Sequence, residues 1–387
     1  MNNQLTFVAL GGGNNIGASA YYINFDGHHI LLDCGCGIAN GLSYGPNLNT
    51  LLEVSGMDSL CELEAVFISH SHYDHMGYIP KLHCMAPCVP IYATYQTKAL
   101  AYYQIWDKSN YNQLRDNERH RVRDEIMAQS ALDSIVTVNY AQKVVLNGFN
   151  VTFYEAGHIP GAAMILLENE NKKILYTGDF AKEETPLAQG YRLPDDLSVD
   201  TLIVCGLNAR NPRNATFSKP ENIVKRLIPC LSQGASVVLK VKQLTKGLEL
   251  AKMLNQAMEH GLIKKRKIFI DDDIWKMAMR LEEMNVCALG QNCFRYPLNL
   301  YENGIYITSS MNGRGYFETV NVDFTLHATY DELKEIVKKT TPETTVVVHV
   351  GRQNDFVNSH VLEIDVCDEM ERNIPFIYPD NNEIYSI

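Results

Sequence analysis

At 387 residues the chain is long enough for more than one domain and a large core, and its 46% hydrophobic and 20% charged content is that of a globular protein. No apolar run reaches the roughly 18 residues a spanning helix needs, and the start MNNQLTFVALGGG lacks the basic flank and apolar length of a secretion signal, so a cytoplasmic protein without a membrane span is expected. A net charge of −11 argues against a generic nucleic-acid binder.

In chain order, a strand at 6–10 runs into Gly11-Gly12-Gly13. That triplet invites a dinucleotide-binding reading. Ile16 follows instead of another glycine, however, and residues 20–25 pattern as a strand rather than a helix, so a tight turn is the better account. Further strands are expected at 29–32, 65–68, 151–154, 174–176, 201–204, 236–239, 267–270, 305–308 and 345–348, where short apolar, β-branched runs occur. Helices are expected at 116–128, 220–231, 245–260, 274–284 and 330–339, the last preceded by Thr329 with Glu332 at capping-box spacing. The alternation is that of an α/β fold, without repeats or low-complexity segments.

Charge is distributed unevenly. Residues 205–328 hold 17 Lys and Arg against 11 Asp and Glu, a balance of +6, which leaves −17 for the remainder. Lys264-Lys265-Arg266-Lys267 is the densest cluster, with Lys240, Lys242 and Lys246 nearby; a solvated helix end and a phosphate-binding patch both account for it. The ten cysteines show no C-x-x-C pairing and are expected to be reduced thiols.

The densest chemistry lies at His70-Ser71-His72-Tyr73-Asp74-His75, directly after an apolar strand. Imidazole and carboxylate suit zinc or a similar divalent ion, and this spacing lets one turn offer two sets of donors, the beginning of a two-metal site. Ala156-Gly157-His158, Thr177-Gly178-Asp179 and His349 also stand at the exits of apolar strands, the edge where α/β folds build their sites. His28, His29, His83, His120, His260 and His360 lack that setting and read as surface or structural residues.

These pieces carry a resemblance. The H-x-H-x-D-H run at 70–75, Gly157-His158-Ile159-Pro160-Gly161-Ala162, Tyr176-Thr177-Gly178-Asp179-Phe180 and the early Leu31-Leu32-Asp33-Cys34-Gly35 resemble the motifs of the metallo-β-lactamase superfamily. Phe324-Thr325-Leu326-His327-Ala328 and Val346-Val347-Val348-His349-Val350-Gly351 resemble motifs B and C of its β-CASP nuclease branch, in a minimal prokaryotic form. The resemblance covers essentially the whole chain.

It implies a metallo-β-lactamase αββα sandwich in two parts, 1–204 and 329–387, with a β-CASP cap inserted at 205–328. It also implies two Zn2+ ions, with Mn2+ an accepted substitute. His70, His72 and His158 would hold one metal, Asp74, His75 and His349 the other, and Asp179 would bridge them. Asp74 would thereby serve catalysis as well as binding, and His327 would be the general acid. Asp33 would orient a ligand imidazole; an ordinary strand-end aspartate explains it equally well. Ser309, Ser310 and Gly313 would contact substrate phosphate, although Ser310 replaces a family glycine and a plain turn also explains the segment. Thr245-Lys246-Gly247-Leu248-Glu249 echoes a family helix start, and an amphipathic helix accounts for it as well.

One departure stands out. The family's motif A acid is replaced by Cys205, read here as a small buried hydrophobe, so His327 would lack its usual carboxylate partner. The implied activity is a two-metal phosphodiesterase that cleaves single-stranded RNA, with RNA as partner, no membrane and room for a homodimer. The alternatives are a metallohydrolase with a changed substrate (DNA or a small phosphodiester) and a non-catalytic RNA-binding subunit.

Overall fold

The computed structural model describes residues 5–112, 118–210, 220–286, 289–296, 302–309, 317–351 and 361–387. Their contacts divide the chain into two compact units, one of 1–182, 190–212 and 327–387 and one of 183–189 and 213–326. The resemblance puts the insert at 205–328; the compact units divide instead at 213 and 326, so that Cys205 and His327 both belong to the first unit.

Among the described residues, the first unit holds two seven-stranded sheets. One runs in the order Ile384–Ser386, Thr6–Gly11, Ala20–Phe25, His28–Leu32, Ala65–Phe67, Ile91–Thr94, Ile135–Val138; the other runs Phe376–Ile377, Thr344–Val348, Thr201–Cys205, Lys173–Tyr176, Ala163–Glu168, Asn150–Glu155, Lys143–Val145. Strand alternation sends Phe7, Tyr21, Ile23 and Phe67 from the first and Phe153, Ile165, Tyr176 and Val348 from the second into one shared core. Emptying one of its aromatic positions, as in Phe67→Ala, costs about 3–5 kcal/mol.

The opposite face of the first sheet places Val8, Leu31 and Val66 in a second core with Leu51, Leu82 and Leu132 of the helices Leu48–Ser55, Ile79–Met85 and Glu118–Ser134. Behind the second sheet, the helix Tyr330–Thr340 buries Leu333, Ile336 and Val337. Thr329 and Glu332 form its capping box as the sequence predicts. This is the αββα sandwich.

The sheet topology also places the chemistry. Lys173–Tyr176, Thr201–Cys205 and Thr344–Val348 run parallel with Tyr176, Ile203 and Val346 in register. Ala65–Phe67 is parallel to both of its neighbours in the other sheet. Parallel strands release their C-terminal ends at one edge, which is where ligand types follow in the sequence.

The second unit is a five-stranded sheet in the order Cys293–Arg295, Ile268–Ile270, Ile305–Thr308, Val237–Lys240, Glu318–Asn321, parallel at every pairing. Phe269, Tyr306 and Phe317 stack along one face. The basic cluster is more committed than a charge count suggests. The Arg266 guanidinium donates to the carbonyls of Leu231, Ala235 and Gly304, Lys267 pairs with Glu302, and Lys242 and Lys246 both face Asp323.

One finding differs from the expectation of reduced thiols. Cys61 and Cys88 form a disulfide, with Cα atoms 6.0 Å apart. The pair is invisible in sequence because its partners lie 27 positions apart without a motif and meet only when the turn at Leu60–Glu62 and the chain after the helix Ile79–Met85 fold together. Among the described residues, Cys34, Cys36 and Cys205 are free and buried and Cys84 is free and exposed. Among the same residues, no helix is long and apolar enough to cross a membrane.

Candidate metal centre

The ligand-bearing turn is clamped through its backbone. Asp33, Cys34 and Cys36 donate amides to the carbonyls of Phe67, His75 and Tyr73, and Ser19 donates to that of Asp74. The approach is so close that a Cβ on Gly35 would lie 1.8 Å from the Asp74 carbonyl oxygen, which explains a glycine there. Asp33 and His349 adopt left-handed backbone, at φ 58° and 53°, conformations that non-glycine residues hold only when their surroundings enforce them.

On this frame seven side chains converge. His70, His72, His158 and Asp179 form one group and Asp74, His75 and His349 another, each with donor atoms within 4.8 Å of one another. Oδ2 of Asp179 lies 3.7 Å from Nε2 of His70, 3.8 Å from Nε2 of His158 and 3.6 Å from Nε2 of His75, so one carboxylate faces both groups. Nε2 of His349 stands 3.9 Å from Oδ2 of Asp74.

The outer nitrogens of three imidazoles are held from behind. Nδ1 of His70 meets the Ser69 hydroxyl at 3.0 Å, Nδ1 of His75 meets Asp33 at 2.7 Å, and Nδ1 of His349 meets the Ser19 hydroxyl at 3.0 Å. Asp33 also accepts from the Ser69 amide, the Ser69 hydroxyl and the Tyr176 phenol. Fixing Nδ1 aims Nε2 at the centre. Nε2 of His70, of His72 and of His75 and Oδ1 of Asp179 are all buried with no hydrogen-bond partner.

Native proteins rarely leave so many buried polar atoms unpaired at one point, and a divalent cation is the partner this donor set fits. Nδ1 of His72 and Nε2 of His158 are 3.1 Å apart. Two ring nitrogens at that spacing either share one proton or face one cation.

Protonation agrees with that fit. Burial, helped by neighbouring imidazoles, pushes His70 and His72 well below their usual pKa and keeps them neutral. Burial also opposes charge on His75, but Asp179 and the hydrogen-bonded Asp33 overcome it and raise its pKa to about 9. Burial likewise opposes charge on Asp179, and His349, His75, His327 and His70 around it hold its carboxyl well below the usual range. The neutral His70 and His72 beside the ionised Asp179 are in the states a metal requires, whereas His75 must give up a proton when a cation binds.

His327 stands at the rim. Its Nδ1 is 3.3 Å from Oδ2 of Asp179, its ring packs 4.4 Å from that of His158, and its side chain is 17% exposed. Cys205 is buried, with its thiol 3.8 Å from the Tyr176 phenol and hydrogen-bonded to Asp179. Burial and the Asp179 charge push that thiol's pKa up, so the position acts as neutral packing.

Ser309 gives its amide and hydroxyl to Oδ2 of Asp271, the N-cap of the helix Asp272–Glu283. Ser310 and Gly313 lie outside the described residues. Sequence reasoning missed Ser19, Ser69 and Tyr176. Ser69 immediately precedes His70, the one local signal available; Ser19 and Tyr176 carry none.

Residues 22–194 match the model of the metallo-beta-lactamase superfamily domain. The chain is 27% identical over 301 residues to the endoribonuclease ysh1 of Emericella nidulans, covering 76% of this chain and 33% of that protein. It is 24% identical to the probable RNase MJ4 of Methanocaldococcus jannaschii, over 89% of this chain and 93% of that one. With the transcription termination factor FttA of Methanothermobacter thermautotrophicus it shares 27% identity over 71% of this chain and 43% of the relative. The chain spans about a third of the length of the fungal endoribonucleases it matches. A solved structure of a protein of unknown function from Enterococcus faecalis superposes with a TM-score of 0.67 at 15% identity, covering 99% of this chain and 100% of that one, which shows the fold. The chain thus carries a metallo-beta-lactamase superfamily domain over residues 22–194 and is similar along most of its length to proteins named endoribonuclease and RNase.

Proposed function

We propose that the protein is a two-metal phosphodiesterase that cleaves single-stranded RNA. The observation that carries this reading is Asp179, a buried carboxylate set between two groups of imidazoles, among which Nε2 of His70, His72 and His75 are buried with no hydrogen-bond partner. His70, His72 and His158 would hold one cation and Asp74, His75 and His349 the other, with Asp179 facing both groups. Zinc suits this donor set, with manganese a workable substitute. Two such ions, when bound, lower the pKa of water and neutralise charge on an attacked phosphate.

The chain's own groups supply the rest. Ser69 and Asp33 fix the tautomers of His70 and His75. His327 reaches the centre from its rim and gives a proton to the leaving oxygen. RNA is the favoured substrate because relatives that match much of this chain bear endoribonuclease and RNase names.

The test is cleavage of end-labelled RNA and DNA oligonucleotides beside a His72→Ala control, with metal content measured by mass spectrometry. RNA cleavage, loss of cleavage in the variant and about two metals per chain support the reading. DNA cleaved with RNA untouched points to a changed substrate. A metal-free chain that binds RNA without cutting it is a binding subunit. Light scattering on the same samples reads whether two copies associate.

A further inference from the structure

We propose that Ser19 is a positioning residue for His349, accepting the Nδ1 proton of that imidazole and so holding Nε2 as the nitrogen presented to the second metal group. The inference rests on the metal-centre reading given under Proposed function and adds to it a residue outside the seven donors.

Ser19 is completely buried, and three of its groups are engaged by three distant parts of the chain. Its amide donates to the Asp74 carbonyl, its carbonyl accepts from Gly35, and its hydroxyl lies 3.0 Å from Nδ1 of His349, 330 positions away. The direction of that last bond follows from its surroundings. Tyr21 is buried and its phenol is kept protonated, with a pKa well above the usual value, so it donates to the Gly12 carbonyl at 2.8 Å. The Ser19 hydroxyl also bonds that phenol, whose own proton is already given to Gly12. Ser19 is therefore the donor to Tyr21, which leaves its lone pairs for a proton on Nδ1 of His349.

The Gly12 carbonyl also takes the His349 amide at 2.7 Å. One carbonyl thus anchors the histidine's backbone directly and its side chain through Tyr21 and Ser19. Gly12 is at φ 70°, and a Cβ there would lie 2.8 Å from the Ser19 hydroxyl and 2.9 Å from the Tyr21 phenol, so the turn is shaped around this relay. The arrangement repeats what Ser69 does for His70 and Asp33 for His75.

His349 needs such a partner more than the other donors do. It stands at a left-handed residue at the end of a strand, apart from the turn that supplies its two companions. Groups that hold a ligand imidazole by its far nitrogen contribute about ten- to a hundredfold to metal affinity.

The experiment compares metal-loaded wild type, Ser19→Ala and Ser19→Thr by chelator competition and by metal content after dialysis. Melting of the metal-free proteins is followed alongside. Ser19→Ala is expected to weaken one of the two sites about ten- to a hundredfold, so that dialysed protein retains close to one metal per chain. The other site should be unchanged, and Ser19→Thr, which keeps the hydroxyl, should regain much of the loss.

Two metals retained by Ser19→Ala with wild-type affinity would overturn the proposal, as would equal weakening of both sites together with a lowered melting temperature of the metal-free protein, which marks a folding effect. If wild type itself binds no metal, the metal-centre reading fails rather than the assignment of Ser19.

Discussion

Nδ1 of His75 and Oδ2 of Asp33 stand 2.7 Å apart with both side chains fully buried, and the same carboxylate oxygen takes the hydroxyls of Ser69 and Tyr176. Asp33→Asn keeps the shape but removes the charge and some of the acceptor capacity. His75 then loses a group that fixes its tautomer. Metal affinity at the group containing His75 is expected to fall about ten- to a hundredfold, read by competition with a chromophoric chelator. Unchanged affinity would remove Asp33 from the support of the centre.

The metal-free protein should be most stable near pH 6.5. His70 and His72 have folded pKa values well below 6.5, so in acid the unfolded chain binds protons that the native chain refuses. Stability then rises with pH up to about 6.5, by up to about 1.4 kcal/mol per pH unit for each such group. His75 has the opposite sign, because its folded value of about 9 exceeds its unfolded one. Its contribution is complete below pH 6.5 and is lost as pH climbs towards 9. Chemical denaturation of the chelator-treated protein between pH 5 and 9 should show a maximum between the two limbs; a monotonic curve would contradict these assignments.

His327→Ala should lower turnover by about 10²- to 10⁴-fold while leaving metal content intact. The residue touches Asp179 at the rim, and its partner there is that carboxylate rather than an acid at the motif A position, which is Cys205. A variant with full turnover on RNA would exclude it as the proton donor. Equal loss of metal and activity would reassign it to the ligand set.

The Cys61–Cys88 disulfide encloses the strand Ala65–Phe67 and the whole turn from His70 to His75. Closing a loop of 27 positions stabilises the fold by about 3–4 kcal/mol through the unfolded chain. Reduction, or Cys61→Ser, should lower the denaturation free energy by that order. Alkylation of the unreduced native protein should label the exposed Cys84 and spare the buried Cys205. Labelling of Cys61 and Cys88 before reduction would show that the bridge is absent in solution.

Much of this was readable in the chain itself, for a physical reason. The strands at 65–67, 173–176 and 344–348 carry the short apolar runs 65–67, 174–176 and 346–348, and such buried runs announce themselves. The polar residues just beyond them are therefore conspicuous, and His70, Asp179 and His349 could be picked out from the sequence. Other parts have no one-dimensional signal. The helix Tyr95–Asn112 mixes polar and aromatic residues without a clean stripe. Ser19 lies in a run of small residues, and only folding brings it to a histidine at the far end of the chain. Glu249 sits on a helix face like any surface acid, yet it is buried, takes the Thr185 hydroxyl at 2.6 Å and is pushed by burial to a pKa of about 8.

The chain order of the donors carries one more consequence. His70 through Asp179 leave the ribosome well before His349, and the whole of 213–326 lies between. At ordinary elongation rates that separation is on the order of 10–30 s. A nascent chain passes that interval with one group of donors complete and the other lacking its last member. On the two-metal reading, the second group of donors would wait for the closing strand. On the same reading, a chain cut short inside the intervening unit would lack His349 and so could not complete the second group of donors.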